Sequence, residues 1–501
     1  MNYQPEHKYG GYIPLREYVA DIKRFRSQLP WRLPLGFKDR IQLWLLARIV
    51  SFSWFAPLLH IKHPYPWGPA YTFLIEYLRK KQMVDELSVR TLLHAGFYSF
   101  YAERRIMKGS THWQVTGHGV SKDRQTALSK TLGEILERTI SGLGDENQNI
   151  TSAAPEQLSA AVVPMVYPPR YHRYLPVQIA THAAKLQHDP RELLEWVTGI
   201  NLITHQPTLI PKHMTSWFYG NRLYKNVLQH PTSNGCAGYF TKEGATLRAL
   251  LEVVQRDAIM THWLTKTPPR QIVLETLPVD LRVMVRDSER IGISVKILDI
   301  TSLGIPTVCV VAITSQSPRP QVVLSAAAAL TFEAAVGSAL EELVNLAGIF
   351  NEVEQEGDDE EIARVDNQPF VTKLSARTRQ LYWRGAARLQ ELQWFLSGAE
   401  VSIAEASTGD LPTTQNDAQD LQTCLAMLRS QGEGYYPVAY QPKNQVQDEL
   451  GFYVFQVFIP KAFPMYLLEY LGTFDSDRLH DFAATKGISS WTLNSQPHMF
   501  S

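Results

Sequence analysis

Three cysteines in 501 residues, Cys236, Cys309 and Cys424, are too few for a disulfide framework or a multi-cysteine zinc site, and their spacing fits no metal motif. Charge of either sign is not in excess: 49 Lys and Arg balance 49 Asp and Glu. Nucleic-acid binding driven by phosphate neutralisation needs a basic surplus, so the balance argues against it. Long hydrophobic runs are scarce. Ile41–Leu59 comes nearest to spanning length, but Gln42, Arg48 and Pro57 interrupt it. Arg48 near its centre would be costly in lipid, which favours a buried or partner-facing helix; its aromatics and basic flanks leave a membrane-surface role open. Met1–Gly10 is polar and lacks the basic-then-apolar pattern of a signal peptide, so a reducing, cytoplasmic location is the default expectation. There is no low-complexity tract, no repeat of solenoid length and no GxxxxGK[ST] phosphate loop.

What remains is the composition of a globular protein, on a chain long enough for a large core or for two to three compact units. Residues 1–110 read as mostly helical, with apolar periodicity in Ala70–Lys80 and Leu92–Ala102 and a break at residues 63–68. This region carries no catalytic constellation and is expected to pack against the rest or dock a partner. Residues 111–501 read as α+β. TGHGVSKDRQ is expected to be a turn leading into a helix. WVTGINLITHQPTLIP reads as two short strands, Ser294–Ile300, Thr307–Ile313 and Gln321–Ala327 have strand length, and FYVFQVFIP is a late strand. Mixed sheets faced by packed helices are the layer solution for such a pattern. Glu354–Glu361 and Gly409–Asp417 read as solvated segments.

Three helices repeat one design. TLGEILERTISG places Glu134 and Glu137 three apart, with Arg138 following and Lys130 one turn earlier. SNGCAGYF is a Gly-rich turn, after which a helix places Glu252 and Gln255 three apart, next to Arg256 and Asp257. SALEELVNL places Glu342 and Asn345 three apart, with Ser338 one turn earlier. Residues so spaced share a helix face. One Glu-x-x-Glu is ordinary solvated surface; three copies, two with arginine attached, suggest carboxylates converging around a cation. Magnesium takes oxygen ligands and bridges carboxylates to nucleotide phosphates. Cys236, inside the turn, reads as a small spacer, because no base is paired with it.

These stretches resemble the YcaO family. LGEILER after Gly117-His118-Gly119 is similar to the family's first acidic helix, SNGCAG followed by ALLEVVQRD and Trp263 to its second, and SALEELVN to its third. VKILDITSLGIPTVCVVA between the last two is similar to its strand–turn–strand, and the resemblance runs from Thr111 to the C-terminus. The resemblance implies binding of ATP and Mg2+ without a P-loop. It also implies cyclodehydration: a Cys, Ser or Thr side chain of a ribosomal peptide attacks the preceding carbonyl, the oxyanion is phosphorylated, and phosphate leaves as an azoline ring closes. Carried over, Glu134, Glu137, Glu252 and Glu342 are candidate magnesium ligands. Gln255 and Asn345 would complete the ligand set or bind nucleotide, with Arg138 and Arg256 on phosphate, Lys130 nearby, and Asn234 and Gly235 shaping the nucleotide-facing turn. Either arginine could instead cap its helix or pair with Asp257 or a core carboxylate, and Asp299 more naturally braces the Asp-Ile-Thr turn than touches substrate. The C-terminal PHMFS resembles the alternating-proline tail of azoline-forming members, with Met499 and Ser501 where two prolines are usual. The tail implies the C-terminal carboxylate of Ser501 as a candidate base and His498 as structural. Lys130 and Ser338 depart from the serine and arginine common at those places, and Gln255 from a glutamate.

The expected partners are a precursor peptide, a separate E1-like leader-binding protein, and a flavin-dependent azoline dehydrogenase, since this chain has no Rossmann fingerprint of its own. A homodimer within a larger synthetase fits the same picture. Two other activities compete: thioamide formation, and a non-catalytic scaffold of a peptide-modifying complex.

Overall fold

The computed structural model describes residues 11–14, 19–20, 22–23, 31–32, 37–52, 60–63, 69–90, 97–108, 111–143, 150–216, 227–290, 292–314, 321–346, 357–372, 374 and 376–500. The architecture is the expected α+β: a three-stranded, a six-stranded and a five-stranded sheet, with helices packed between and upon them.

The three-stranded antiparallel sheet is formed by Glu86–Arg90, Tyr98–Lys108 and Thr111–Ser121. Tyr98–Lys108 corrects the helical reading of this region. Phe100, Ala102 and Ile106 are buried on one face, which is the two-residue period of a strand. The boundary expected at residue 110 therefore falls inside a hairpin. The helix Pro69–Lys80 joins the same core through Tyr71, Leu74 and Leu78, packed with Phe100, Leu132 and Leu136.

The first acidic helix, Arg124–Leu143, lies across this hairpin. Asp123 caps it, accepting from the Thr126 amide at 2.7 Å. Gly117-His118-Gly119, expected to be a turn, is instead strand interior, paired with Ala102, Tyr101 and Phe100. Its glycines serve close packing. A Cβ on Gly119 would sit 2.2 Å from the Ala127 carbonyl oxygen and 2.5 Å from the Thr131 amide nitrogen, so only a missing side chain lets helix and strand approach this closely. Gly119→Ala is expected to destabilise the protein by about 1–3 kcal/mol in urea melts. Gly409→Ala, where nothing lies within 4 Å, should leave the midpoint unchanged.

The six-stranded sheet runs in the order Cys236–Tyr239, Tyr453–Phe458, Val438–Tyr440, Leu194–Asn201, Thr151–Ala153, with Pro207–Pro211 also on Leu194–Asn201. Cys236–Tyr239 is thus an edge strand, and Gly235 turns the chain into it at φ +71. A Cβ at Gly235 would lie 2.2 Å from the Val457 carbonyl oxygen, so both sterics and conformation demand glycine. The second acidic helix, Lys242–Leu264, follows; Thr241 caps it by accepting from the Gly244 amide at 3.0 Å. The five-stranded sheet contains Ile293–Asp299, Thr307–Thr314 and Val322–Ala328, the three strands expected there. The third acidic helix, Phe332–Leu346, buries Phe332, Val336 and Leu340 against Val295, Val308 and Val310 of that sheet.

The helix Phe37–Phe52 leaves Ile41, Trp44 and Leu45 exposed, with Arg48 stacked over the Trp44 ring, so its apolar face is not buried as a core helix would be. Residues 53–59 of the long apolar segment lie outside the described residues. No helix among the described residues is long and apolar enough to cross a membrane. Asp358–Glu361 form the first turn of a helix, where acidic side chains oppose the positive end of its dipole.

Candidate functional site

The edge strands of two sheets meet at the first acidic helix. The His118 amide, on the strand Thr111–Ser121, donates to Glu134 Oε2 at 2.5 Å. The Gly238 amide, on the strand Cys236–Tyr239, donates to Glu137 Oε2 at 2.8 Å. One helical turn thus bridges two sheets through two carboxylates, and their spacing by three is what aims both at the gap. Glu252 faces the same gap from the second helix, beside Gly235 and Cys236. Glu342 comes from the exposed side of the third helix and acts electrostatically on Arg138.

The electrostatics record this convergence. Burial pushes the Glu137 carboxyl up to about 8, with the neighbouring Glu252 and Glu134 charges adding to it. Burial also raises Glu252, partly offset by Arg256. Burial alone would lower Arg138, but Glu134, Glu137, Glu342 and Glu252 together outweigh it and hold the guanidinium charged. The charges of four acids from three helices therefore act on one arginine. Burial, reinforced by Glu252 and Glu137, drives the Cys236 thiol well above its usual range, which supports the reading of that residue as a spacer.

A raised carboxyl pKa has a sign for stability. The unfolded chain ionises Glu137 near the ordinary glutamate value of 4.5, whereas the folded chain keeps its proton until about 8. Stability is thus lost as pH rises through that window, because the native state binds the extra proton there. The difference in stability between wild type and Glu137→Gln should change across that window and flatten above it. A pH-independent difference would contradict the assignment.

Both arginines pair with carboxylates of their own helices, one of the two placements expected for them. Arg138 Nη2 pairs with Glu134 Oε1 at 2.6 Å, and its Nη1 donates to the Thr116 carbonyl at 3.0 Å. Arg256 Nη2 pairs with Glu252 Oε1 at 2.6 Å, not with Asp257. Asp257 instead forms a fully buried pair with Arg478, whose Nη2 lies 2.6 Å from Oδ2; the Phe463 amide and the Ser302 hydroxyl donate to the same carboxylate. With the side chains so disposed, no three His, Cys, Asp or Glu among the described residues lie close enough together to hold one metal ion. The expected four-carboxylate ligand set is not assembled in this arrangement, because two of its members lie on arginines and one on a backbone amide.

The residues nonetheless fit a hard cation and a nucleotide. Glu252 Oε2 and Asn234 Oδ1 are buried acceptors without a hydrogen-bond partner, in a gap where burial and like charge raise two carboxyls. Oxygen donors of this kind suit Mg2+. Gln255 lies half-buried three residues beyond Glu252. Lys130, expected at the nucleotide, is salt-bridged to Glu341 of the third helix at 2.7 Å and is half exposed. The Asn345 side chain and Ser501, with its carboxylate, lie outside the described residues.

The C-terminal tail is held near this gap. The indole N–H of Trp263 donates to the Gln496 carbonyl at 3.0 Å and that of Trp383 to the Pro497 carbonyl at 3.1 Å. His498 is buried against the Tyr466 carbonyl at 2.7 Å, which agrees with a structural role. Asp299 braces its turn as expected, accepting from the Thr301 amide at 3.0 Å, and also pairs with Arg270. Sequence reasoning missed the amides of His118 and Gly238, the Arg478 partner of Asp257, and the tryptophan grip on the tail. The first two had an available signal, glycines beside the acidic helices; the last two join residues 114 to 233 positions apart.

The chain belongs to the YcaO family: the family model described as YcaO cyclodehydratase, ATP- and Mg2+-binding, matches residues 117–462, well over half of the sequence. ATP and Mg2+ are therefore the cofactors of its domain. Among solved structures, a heterocyclase in complex with substrate and cofactor aligns with a TM-score of 0.63 at 16% identity, covering 85% of this chain and 57% of its own. The YcaO protein of Methanopyrus kandleri, bound with AMPPCP and Mg2+, aligns at 0.56 and 18% identity, covering 78% of this chain and 89% of its own. The heterocyclase TruD aligns at 0.55 and 15% identity, covering 92% of this chain and 64% of its own. At these identities the likeness is one of fold. This chain spans less than two thirds of either heterocyclase. No curated protein matches it significantly.

Proposed function

We propose that this protein is an ATP- and Mg2+-dependent cyclodehydratase that converts Cys, Ser or Thr residues of a ribosomally made precursor peptide to thiazoline or oxazoline. The observation that carries the reading is the convergence of Glu134, Glu137, Glu252 and Glu342 around Arg138, beside the edge strand that begins at Gly235. ATP supplies the phosphoryl group that turns an amide oxygen, a poor leaving group, into a good one. The chain's own task is positioning and charge neutralisation. Glu252 Oε2 and the carboxylates of Glu137 and Glu342 would hold the metal, with Gln255 and Asn345 supplying amide oxygens, while Glu134 keeps its helix on the strand through the His118 amide. Arg256 would counter phosphate charge, and Arg138 keeps Glu134 in place. Asn234 and Gly235 fix the turn against which the nucleotide lies.

A separate E1-like protein supplies leader binding, and a flavin-dependent dehydrogenase acts on the product. The test is nucleotide hydrolysis measured with precursor peptide and partner, followed by product mass. Loss of one water per modified residue is expected. Replacement of oxygen by sulfur would assign thioamide formation, and absence of peptide-stimulated hydrolysis would assign a scaffold.

A further inference from the structure

The sequence treats Arg138 and Arg256 alike: each follows an acidic residue by four positions in the same helical design. The structure does not. Arg138 is fully engaged. One arm of its guanidinium lies 2.6 Å from Glu134 Oε1 and the other 3.0 Å from the Thr116 carbonyl, while the second oxygen of Glu134 is taken by the His118 amide. Helix, arginine and strand form a closed set of bonds in which neither Glu134 oxygen is left over. Arg256 holds Glu252 by one prong only, Nη2 to Oε1 at 2.6 Å. The adjacent atoms on both partners, Arg256 Nε and Glu252 Oε2, are buried and make no well-aligned hydrogen bond, although the Gly235 and Cys236 amides lie near enough to Glu252 to favour its charge. A guanidinium and a carboxylate normally satisfy each other in parallel pairs. A one-pronged pair with an orphaned donor and an orphaned acceptor, both out of water, keeps much of the desolvation cost of burial without its usual return.

We propose that the Arg256–Glu252 pair is an exchangeable latch and Arg138–Glu134 a fixed brace. In the latched form Arg256 is the countercharge of Glu252. When a metal–nucleotide complex enters, the cation takes the Glu252 oxygens and Arg256 transfers to phosphate, so that both orphaned atoms gain partners in one exchange. Glu134 stays on the strand through Arg138 and His118. Metal and nucleotide binding are then interdependent, because metal alone must displace Arg256 without offering it a new anion. This inference rests on the proposed assignment of the site to Mg2+ and ATP.

The experiment is calorimetric titration and thermal melting of the full chain with MgCl2 alone, a non-hydrolysable ATP analogue alone, and both together. Wild type should bind metal alone weakly and the pair tightly. Arg256→Gln should bind metal alone about ten- to a thousand-fold tighter, the range by which one adjacent opposite charge shifts a carboxylate's affinity for a cation. Its melting temperature should rise with MgCl2 alone, which wild type's should not. Arg138→Gln should melt lower than wild type and show no such gain. Equal behaviour of the two variants, or wild-type metal affinity unchanged by the nucleotide, would overturn the latch. If Arg256→Gln does not fold, the wild-type comparison of metal with and without nucleotide still decides. Absence of any binding of the metal–nucleotide pair to wild type would instead overturn the assignment of the site.

Discussion

Glu252→Ala is expected to reduce peptide-dependent ATP turnover by about 10²–10³-fold or more while leaving the fold intact, the loss typical when one preorganised charge-stabilising group is removed from a reaction centre. Glu252 is the acid with an unclaimed buried oxygen, so it has the least structural work to lose and the most ligand capacity. The second helix that carries it is fixed independently by Leu250, Val253 and Val254 in one core and by Trp263 and Leu264 in another. Circular dichroism should therefore be close to wild type, with a lower melting transition because Arg256 loses its carboxylate. Retained turnover would reassign the helix to structure alone.

Asp257→Asn is expected to have the largest effect on stability, about 3–5 kcal/mol, because it strands the Arg478 guanidinium in a fully buried position without its counter-ion. Two hydrogen bonds besides the ion pair converge on that carboxylate, from Phe463 and Ser302, so the substitution weakens the seating of the segment around Phe463 and of the helix Asp477–Thr485 together. Equilibrium urea unfolding measures it. A loss below about 1 kcal/mol, the scale of a solvent-exposed pair, would show that water reaches the site.

The legible parts of this chain were those where one local pattern decides the outcome. The acidic helices, their three-residue spacing and the strands from Ile293 to Ala328 all follow from periodicity, because each is a single element with one buried face. Tyr98–Lys108 was misread because a run rich in aromatics and apolar residues satisfies helix and strand periods alike until its partner strand is known. Gly117 and Gly119 were read as a turn, the commonest use of paired glycines, whereas here they permit contact with a helix that arrives later in the chain.

The candidate site divides in the same way. That Glu134, Glu137, Glu252 and Glu342 share a neighbourhood was readable from repetition of the design. Which atom each holds was not. Arg256 pairs within its own helix, Asp257 pairs with a residue 221 positions away, and Lys130 is drawn to Glu341, and each choice is set by tertiary packing that no spacing rule encodes.

The central claim is that acids from separate helices grip one metal-bound nucleotide, and a crystal structure of this chain with Mg2+ and a non-hydrolysable ATP analogue tests it most directly. The account predicts a magnesium ion at about 2.0–2.1 Å from a Glu252 oxygen and from Glu137 or Glu342, with the phosphates against Arg256. A nucleotide bound elsewhere, or an ion in the gap that touches none of these carboxylates, would contradict it.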